Sequence, residues 1–539
     1  MRRPGLLLAL GILLVEPALA QYGAIGLSAV RARRYGNPGL GGYPSHSNDA
    51  FAWSLAAGDF NGDGLDDLAT GAPGHDNFEG DFNGSGVVFV HYSLPGVGLA
   101  GSSAGQVITQ AGNPDPPEPL DSFGSALASC DFNGDGKDDL AVGVPFEDLP
   151  GAPDGGEVQI HIGSSVGLTS FSSQVLTQES GTTPGESEPF DYFGSAVACG
   201  HFDGDPFADL AIGAWDENLT SATGDEIFGG GTVVVYRGSA AGLQTTGVTL
   251  LQQGVAGVND GAESFDYFGM ALAVGDFDGD GFDDLAVGVP GEDNIGDAIV
   301  HSRGAVHVIF GSATGLQTSD DYFKTESGLG GNSELGDRFG QVLAAGDFDH
   351  DGFDDLAVGA PYEDLDAGED SGQVLAIYGS ATGFVFARTQ FWSENAIYGP
   401  GESEDDDHFG FALAAADFDG DGRGDLAVGH PGEWGLVAGD GSVTVIMGAA
   451  AGLSSARRYS MAAGYDGFPG PANLLDRNLG AAVAAADFDG DGHADLAIGA
   501  PYEDDGALLD TGAEWVLYGS CFSDGFAVQN TVRWSASVP

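Results

Sequence analysis

Positive charge is scarce: 16 Lys and Arg stand against 81 Asp and Glu in 539 residues, for a net charge of -65. A chain so acidic repels phosphate backbones and anionic lipid, so nucleic acid and anionic membranes are poor partners. Cysteine is scarcer still. Three residues, Cys130, Cys199 and Cys521, are too few for a disulfide framework. Cys130 and Cys199 occupy nearly equivalent places, yet a bridge needs Cα atoms within about 6.8 Å, and pairing is not expected. Beyond the N-terminus no stretch approaches the roughly 18 apolar residues of a spanning helix, so no membrane insertion is expected. Amphipathic helical periodicity is not evident either, which leaves no helix for a nucleophile elbow.

The N-terminus, MRRPGLLLALGILLVEPALAQ, joins Arg2 and Arg3 to an apolar run too short to span a bilayer and a small-residue Ala18-Leu19-Ala20 end. It reads as a signal peptide over 1–20, cleaved near Ala20-Gln21, making the mature chain secreted or cell-surface.

Glycine and aspartate are plentiful, and they recur in phase. The phrase DFDGDGFDDLAVGVP at 276–290 has counterparts starting at Asp59, Asp131, His201, Asp347, Asp417 and Asp487, so there are seven copies. An in-phase repeat fixes architecture. Within a unit, FGMALAVGDF (268–277) reads as strand A, DLAVGVP as strand B, GAVHVIFG (304–311) as strand C, and a segment near 318–326, after the turn SATGL, as strand D. Alternate strand A positions Ala271, Ala273 and Gly275 are small, as needed where sheets converge on an axis. The fold class is therefore all-β: a seven-bladed β-propeller of four-stranded blades spanning 21–522. Blade cores start near 51, 123, 193, 268, 339, 409 and 479, and 523–539 forms a tail or closing strand. GLSAVRARRYG (26–36) resembles strand D of blade 6, so the N-terminus is favoured as the outer strand of blade 7.

In blade 4 the alternating Asp276, Asp278, Asp280 and Asp284 supply hard oxygen donors, with the Phe282 carbonyl between them and Gly281 permitting the turn. That is calcium chemistry, between strands A and B. An EF-hand is excluded because its bidentate Glu would fall at Val287. The equivalent donors are Asp59, Asn61, Asp63, Leu65 and Asp67 in blade 1, and Asp131, Asn133, Asp135, Lys137 and Asp139 in blade 2. Blade 5 offers Asp347, Asp349, Asp351, Phe353 and Asp355, blade 6 Asp417, Asp419, Asp421, Arg423 and Asp425, and blade 7 Asp487, Asp489, Asp491, His493 and Asp495. Leu65, Lys137, Phe353, Arg423 and His493 would act through backbone carbonyls. Blade 3 keeps Asp203, Asp205 and Asp209, but His201 replaces the first Asp and Pro206 the turn glycine, so its site is expected to be empty or weak. The expectation is Ca2+ at about six loops, with blade 3 a poorer seventh.

The FG opening strand A, the Asp-rich loop and the GAP closing strand B resemble the FG-GAP repeats of the integrin α-subunit propeller, over nearly the whole mature chain. The resemblance implies calcium in the A-to-B loops, ligand recognition on the opposite face and a role in cell adhesion. Thigh, calf and membrane-spanning counterparts are missing, so integrin-type signalling is not implied.

The A-to-B and C-to-D connections should share one face and the longer B-to-C and D-to-A connections the other. The long loops carry Tyr192, Phe265, Tyr267, Tyr362, Tyr398 and Tyr502, suited to an extracellular protein or glycan. Acidic pairs after strand B, Glu147-Asp148, Glu292-Asp293, Glu363-Asp364 and Glu503-Asp504, read as a solvated rim rather than catalytic carboxylates. GSSAG at 101 and GSSVG at 163 match a nucleophile-elbow pattern but read as turns. The leading expectation is an adhesion or ligand-binding module. The alternatives are a propeller hydrolase or lyase acting on extracellular polysaccharide, or a structural surface-layer component.

Overall fold

Each repeat folds into short strands because apolar β-formers alternate with small residues between glycine-rich turns. In the computed structural model these strands form seven antiparallel four-stranded sheets. It describes residues 32–36, 46–76, 84–100, 105–110, 117–180, 187–293 apart from 222 and 256, 302–433 apart from 366 and 367, 441–462, 477–504 and 508–519. The expected signal peptide at 1–20, the first four residues of GSSAG (101–104), the tail at 523–539 and Cys521 lie outside these residues.

Blade 4 comprises Ala271–Gly275, Asp284–Val289, Ala305–Phe310 and Gln317–Thr325, close to the expected A to D. Strand B is buried along its whole length in every blade. Strand A of each blade packs on strand A of both neighbours, blade 7 on blade 1 included, so the ring closes into a seven-bladed propeller. Closure comes from the N-terminus, as favoured: Ala32–Gly36 is antiparallel to Ala513–Leu517, with Ala32 opposite Leu517 and Gly36 opposite Ala513.

The FG and GAP motifs meet across the seams between blades. Within blade 4 the N–H of Gly269 donates to the Gly288 carbonyl at 3.1 Å, and the next blade's motif packs against the same glycine. A Cβ on Gly288 would lie 2.0 Å from the Gly340 carbonyl oxygen of the next blade, so no side chain fits there. Phe51, Phe123, Phe193, Phe268, Phe339, Phe409 and Leu479, at the first motif position, are buried.

The expectation for the cysteines is overturned. Cys130 and Cys199 form a disulfide with a Cα–Cα distance of 6.4 Å. The cause is the convergence already inferred from small residues: strand A ends are pressed together at the axis, as where a Cβ on Gly275 would lie 3.0 Å from Ala345 Cβ.

Candidate functional site

The Asp-rich loops fold on their own carboxylates. Asp59 Oδ1 accepts the N–H groups of Gly62 at 2.7 Å and Asp63 at 3.0 Å, and its Oδ2 accepts that of Gly64 at 2.8 Å. The last carboxylate of each loop faces inward. Asp284 accepts from the Phe277 N–H at 2.9 Å and from the Gly311 N–H, at the end of strand C, at 2.8 Å. Asp139, Asp209, Asp355 and Asp425 take the corresponding N–H groups of Gly163, Gly238, Gly379 and Gly448. The A-to-B loops and C-to-D turns therefore share one face, as expected.

In blade 4 ligand atoms of Asp276, Asp278 and Asp284 lie within 4.8 Å of one another. Burial pushes the Asp284 carboxyl up to about 8; the Gly311 and Phe277 N–H groups oppose the shift, and the charges of Asp278 and Asp276 add to it. A divalent cation would relieve that arrangement. Asp280 instead accepts the Phe282 N–H through Oδ1 at 3.0 Å. The amides of Asn61 and Asn133 donate to Asp67 and Asp139, each at 3.1 Å. Arginines reach the third loop position in three blades: Arg237 lies 3.4 Å from Asp203 and Arg457 2.5 Å from Asp419, and Arg388 pairs with Asp349. In blade 3, His201 Nδ1 lies 3.2 Å from the Phe207 carbonyl and so is turned into its own loop. In blade 4, Asp278 is clear of such an arginine pairing among the described residues.

The opposite face carries an aromatic surface on blades 2 to 4. Tyr192 stacks on Trp215 with ring centroids 5.0 Å apart, Tyr267 meets Trp215 edge-on at 5.0 Å, and Phe146 meets Tyr192 at 5.2 Å. Phe190 and Phe265 flank it and are 51% and 39% exposed. Trp215 stands where the other six blades have proline, so the patch breaks the sevenfold pattern. Tyr362 meets His408, and Tyr502 meets Trp53, elsewhere on this face. Tyr398 is different: its hydroxyl is 2.8 Å from Thr444 Oγ1 and Arg458 covers its ring, which makes it a packing residue.

Comparison with known proteins agrees with this geometry. The FG-GAP repeat model matches residues 51–91, 123–161, 268–309, 339–377, 409–446 and 479–517. This chain is an FG-GAP repeat propeller. It is 32% identical to integrin alpha-V of Gallus gallus over 249 residues, 44% of this chain and 20% of that one. To integrin alpha-PS2 of Drosophila melanogaster it is 33% identical over 225 residues, 41% and 14% of the two chains. To phosphatidylinositol-glycan-specific phospholipase D of Rattus norvegicus it is 36% identical over 172 residues, 32% and 19%. It thus spans a fifth or less of the length of these relatives. Among solved structures, an exotype rhamnogalacturonan lyase, YesX, aligns with TM-score 0.41 and 14% identity over 92% of this chain and 75% of that one. At that level the likeness carries no argument about chemistry.

Two features of the FG-GAP propeller were not read from the sequence. The first Asp of the DD pair is a clasp between blades: Asp138, Asp283, Asp354 and Asp66 accept the backbone N–H of Asp59, His201, Asp276 and Asp487, at 2.9, 2.7, 3.0 and 3.1 Å. The recurrence of the doublet was the available signal. The second feature corrects the solvated-rim expectation. Glu147, Glu292, Glu363 and Glu503 are buried in the seams. The side-chain amides of Gln110 and Gln253 donate to Glu147 and Glu292 at 2.7 and 2.9 Å, and Arg34 pairs with Glu503 at 2.6 Å. Burial raises Glu363, and the charges of Glu326 and Asp337 beside it act the same way. The partnering Asp148, Asp293, Asp364 and Asp504 cap the B-to-C loops by accepting the N–H of Asp154, Ser302, Asp370 and Asp510. A glutamate beside proline and aspartate looks exposed in sequence, and only the neighbouring blade covers it.

Proposed function

We propose that this propeller is an extracellular, calcium-binding adhesion or ligand-binding module that recognises its partner with the long-loop face. The aromatic patch built on Trp215 carries the reading. It presents a stacked ring pair with exposed phenylalanines on a rigid scaffold, the composition that dominates binding hot spots. Asp154 and Asp216 act electrostatically on Tyr192, so the patch suits a cationic side chain of a protein partner, held over the rings and paired with a carboxylate. The oxygen-rich loops of the opposite face would take Ca2+, most favourably in blade 4, where Asp276, Asp278 and Asp284 converge, bracing the blades away from the ligand. The Cys130–Cys199 bridge suits an oxidising compartment, in keeping with secretion after cleavage near Ala20.

The test is Trp215→Ala combined with Tyr267→Ala, assayed for binding to immobilised basic peptides and to a polysaccharide panel in calcium. Loss of about 2 kcal/mol, or roughly thirtyfold in affinity, is expected for a pair of hot-spot aromatics, with melting temperature and calcium content unchanged. Depolymerisation of a polysaccharide by the wild-type chain, abolished by one carboxylate substitution on this face, would replace the binding-module reading with the lyase or hydrolase alternative.

A further inference from the structure

The seams carry a second repeating pattern, and one seam departs from it in a chemically directed way. In blades 2 to 6 a glutamate lies three residues before the aspartate that precedes FG, and its backbone N–H caps that aspartate, as Glu188 does Asp191 at 2.6 Å. A second glutamate follows strand B; Glu217 is the example, and its carbonyl accepts the Gly231 N–H at 3.1 Å. Each of these seams is thus framed by two glutamates and an aspartate, all oxygen donors; in blade 6 His430 from strand B joins them, 3.2 Å from Glu394 and 3.6 Å from Glu433.

In blade 1 the same backbone bonds recur with other side chains. The His46 N–H caps Asp49 Oδ2 at 2.6 Å, and the His75 carbonyl accepts the Gly86 N–H at 3.0 Å. Both glutamate positions are histidine, and the aspartate is kept. One donor atom from each of His46, Asp49 and His75 lies within 4.8 Å of the other two. Asp49 and His75 are wholly buried and His46 is half-buried, so the cluster is reachable from one side. His75 Nε2 lies 3.9 Å from Asp49 Oδ2, beyond hydrogen-bonding reach, and the two imidazole rings meet edge-on with centroids 5.6 Å apart. Two donors held about 2.1 Å from a tetrahedral ion lie about 3.4 Å apart, so a small contraction would seat one.

We infer that His46, Asp49 and His75 form a binding site for a divalent transition-metal cation of the zinc class, separate from the oxygen-donor loops on the opposite face. Imidazole nitrogen selects such ions over calcium, which takes oxygen ligands, and replacing two carboxylates by two imidazoles in one seam converts a hard donor set into a borderline one. The position gives the site a purpose. His46 lies on the connection between the closing strand Ala32–Gly36 and blade 1. Nearby, the N–H groups of Asn48 and Ala50 donate to the Leu509 and Asp510 carbonyls of blade 7 at 2.9 and 3.1 Å. An ion bound there would pin this connection to the end of strand B and lock the seam at which the ring closes.

The experiment uses the untagged full chain, saturated with calcium and titrated with Co2+ as a visible probe, then with Zn2+ as competitor. One equivalent should give the absorption of nitrogen-ligated cobalt, zinc should displace it, and the melting temperature should rise. The double substitution His46→Glu with His75→Glu restores the acid frame of blades 2 to 6; it should fold, keep its calcium and lose the cobalt spectrum. His46→Ala, at the half-exposed ligand, should lose the spectrum too and decides the matter if the double variant does not fold. No cobalt absorption in the wild-type chain, or an unchanged spectrum in these variants, would overturn the assignment.

Discussion

Replacing Asp355 by alanine separates what the loop carboxylates do for the fold from what they do for a metal. Asp355 Oδ1 accepts the Gly379 N–H and Oδ2 the Phe348 N–H, both at 2.9 Å, and all three residues are buried. A buried N–H left without an acceptor costs about 1–3 kcal/mol, so losing both should cost about 2–6 kcal/mol before any ion is considered. Asp355→Asn keeps one accepting oxygen and should lose about half of that. Asp351, in the same loop, is exposed; it accepts the Phe353 N–H at 3.3 Å and lies 3.9 Å from the partly exposed Arg388, so Asp351→Ala should cost less than about 1 kcal/mol. Urea unfolding in excess chelator reads these differences directly. Repeating it in calcium should add a further loss to both variants, because each removes a candidate ligand. Equal destabilisation of Asp355→Ala and Asp351→Ala in chelator would refute the hydrogen-bonding role and leave the carboxylate a metal ligand alone.

Two other outcomes follow from the seams. The Cys130–Cys199 bridge joins residues 69 apart in sequence, which corresponds to about 4 kcal/mol of unfolded-state loop entropy; Cys130→Ser with Cys199→Ser should lower the urea midpoint accordingly, and an equal midpoint with and without reductant would contradict it. Glu514, buried against Thr70 at 2.6 Å, is pushed by burial up to about 8, above its unfolded value near 4.5. Its contribution is therefore complete below pH 4.5 and is lost as pH rises through about 8. Glu514→Gln should flatten the fall in stability between about pH 4.5 and 8, and parallel pH profiles for the two proteins would sink the argument.

The periodic information in the sequence was enough for architecture. Seven in-phase copies, the strand A alternation at Ala271, Ala273 and Gly275, and the turn glycines fixed strand number, blade number and the face on which the Asp loops stand, because these depend on local geometry and on spacing along the chain. The likeness of segment 26–36 to a strand D even located the closing strand. Contacts made by the neighbouring blade were settled only by the tertiary structure. Cys130 and Cys199 meet because adjacent A strands converge at the axis, and Asp138 clasps Asp59 across a seam 79 residues wide in sequence. Glu147, Glu292, Glu363 and Glu503 sit in hydrophilic sequence yet are buried, since burial is imposed by the next repeat rather than by their own. The patch at Tyr192, Trp215 and Tyr267 likewise joins loops of two blades whose approach no local pattern encodes. Local periodicity specifies the repeat, whereas the chemistry between repeats depends on how closely seven of them must pack to close a ring.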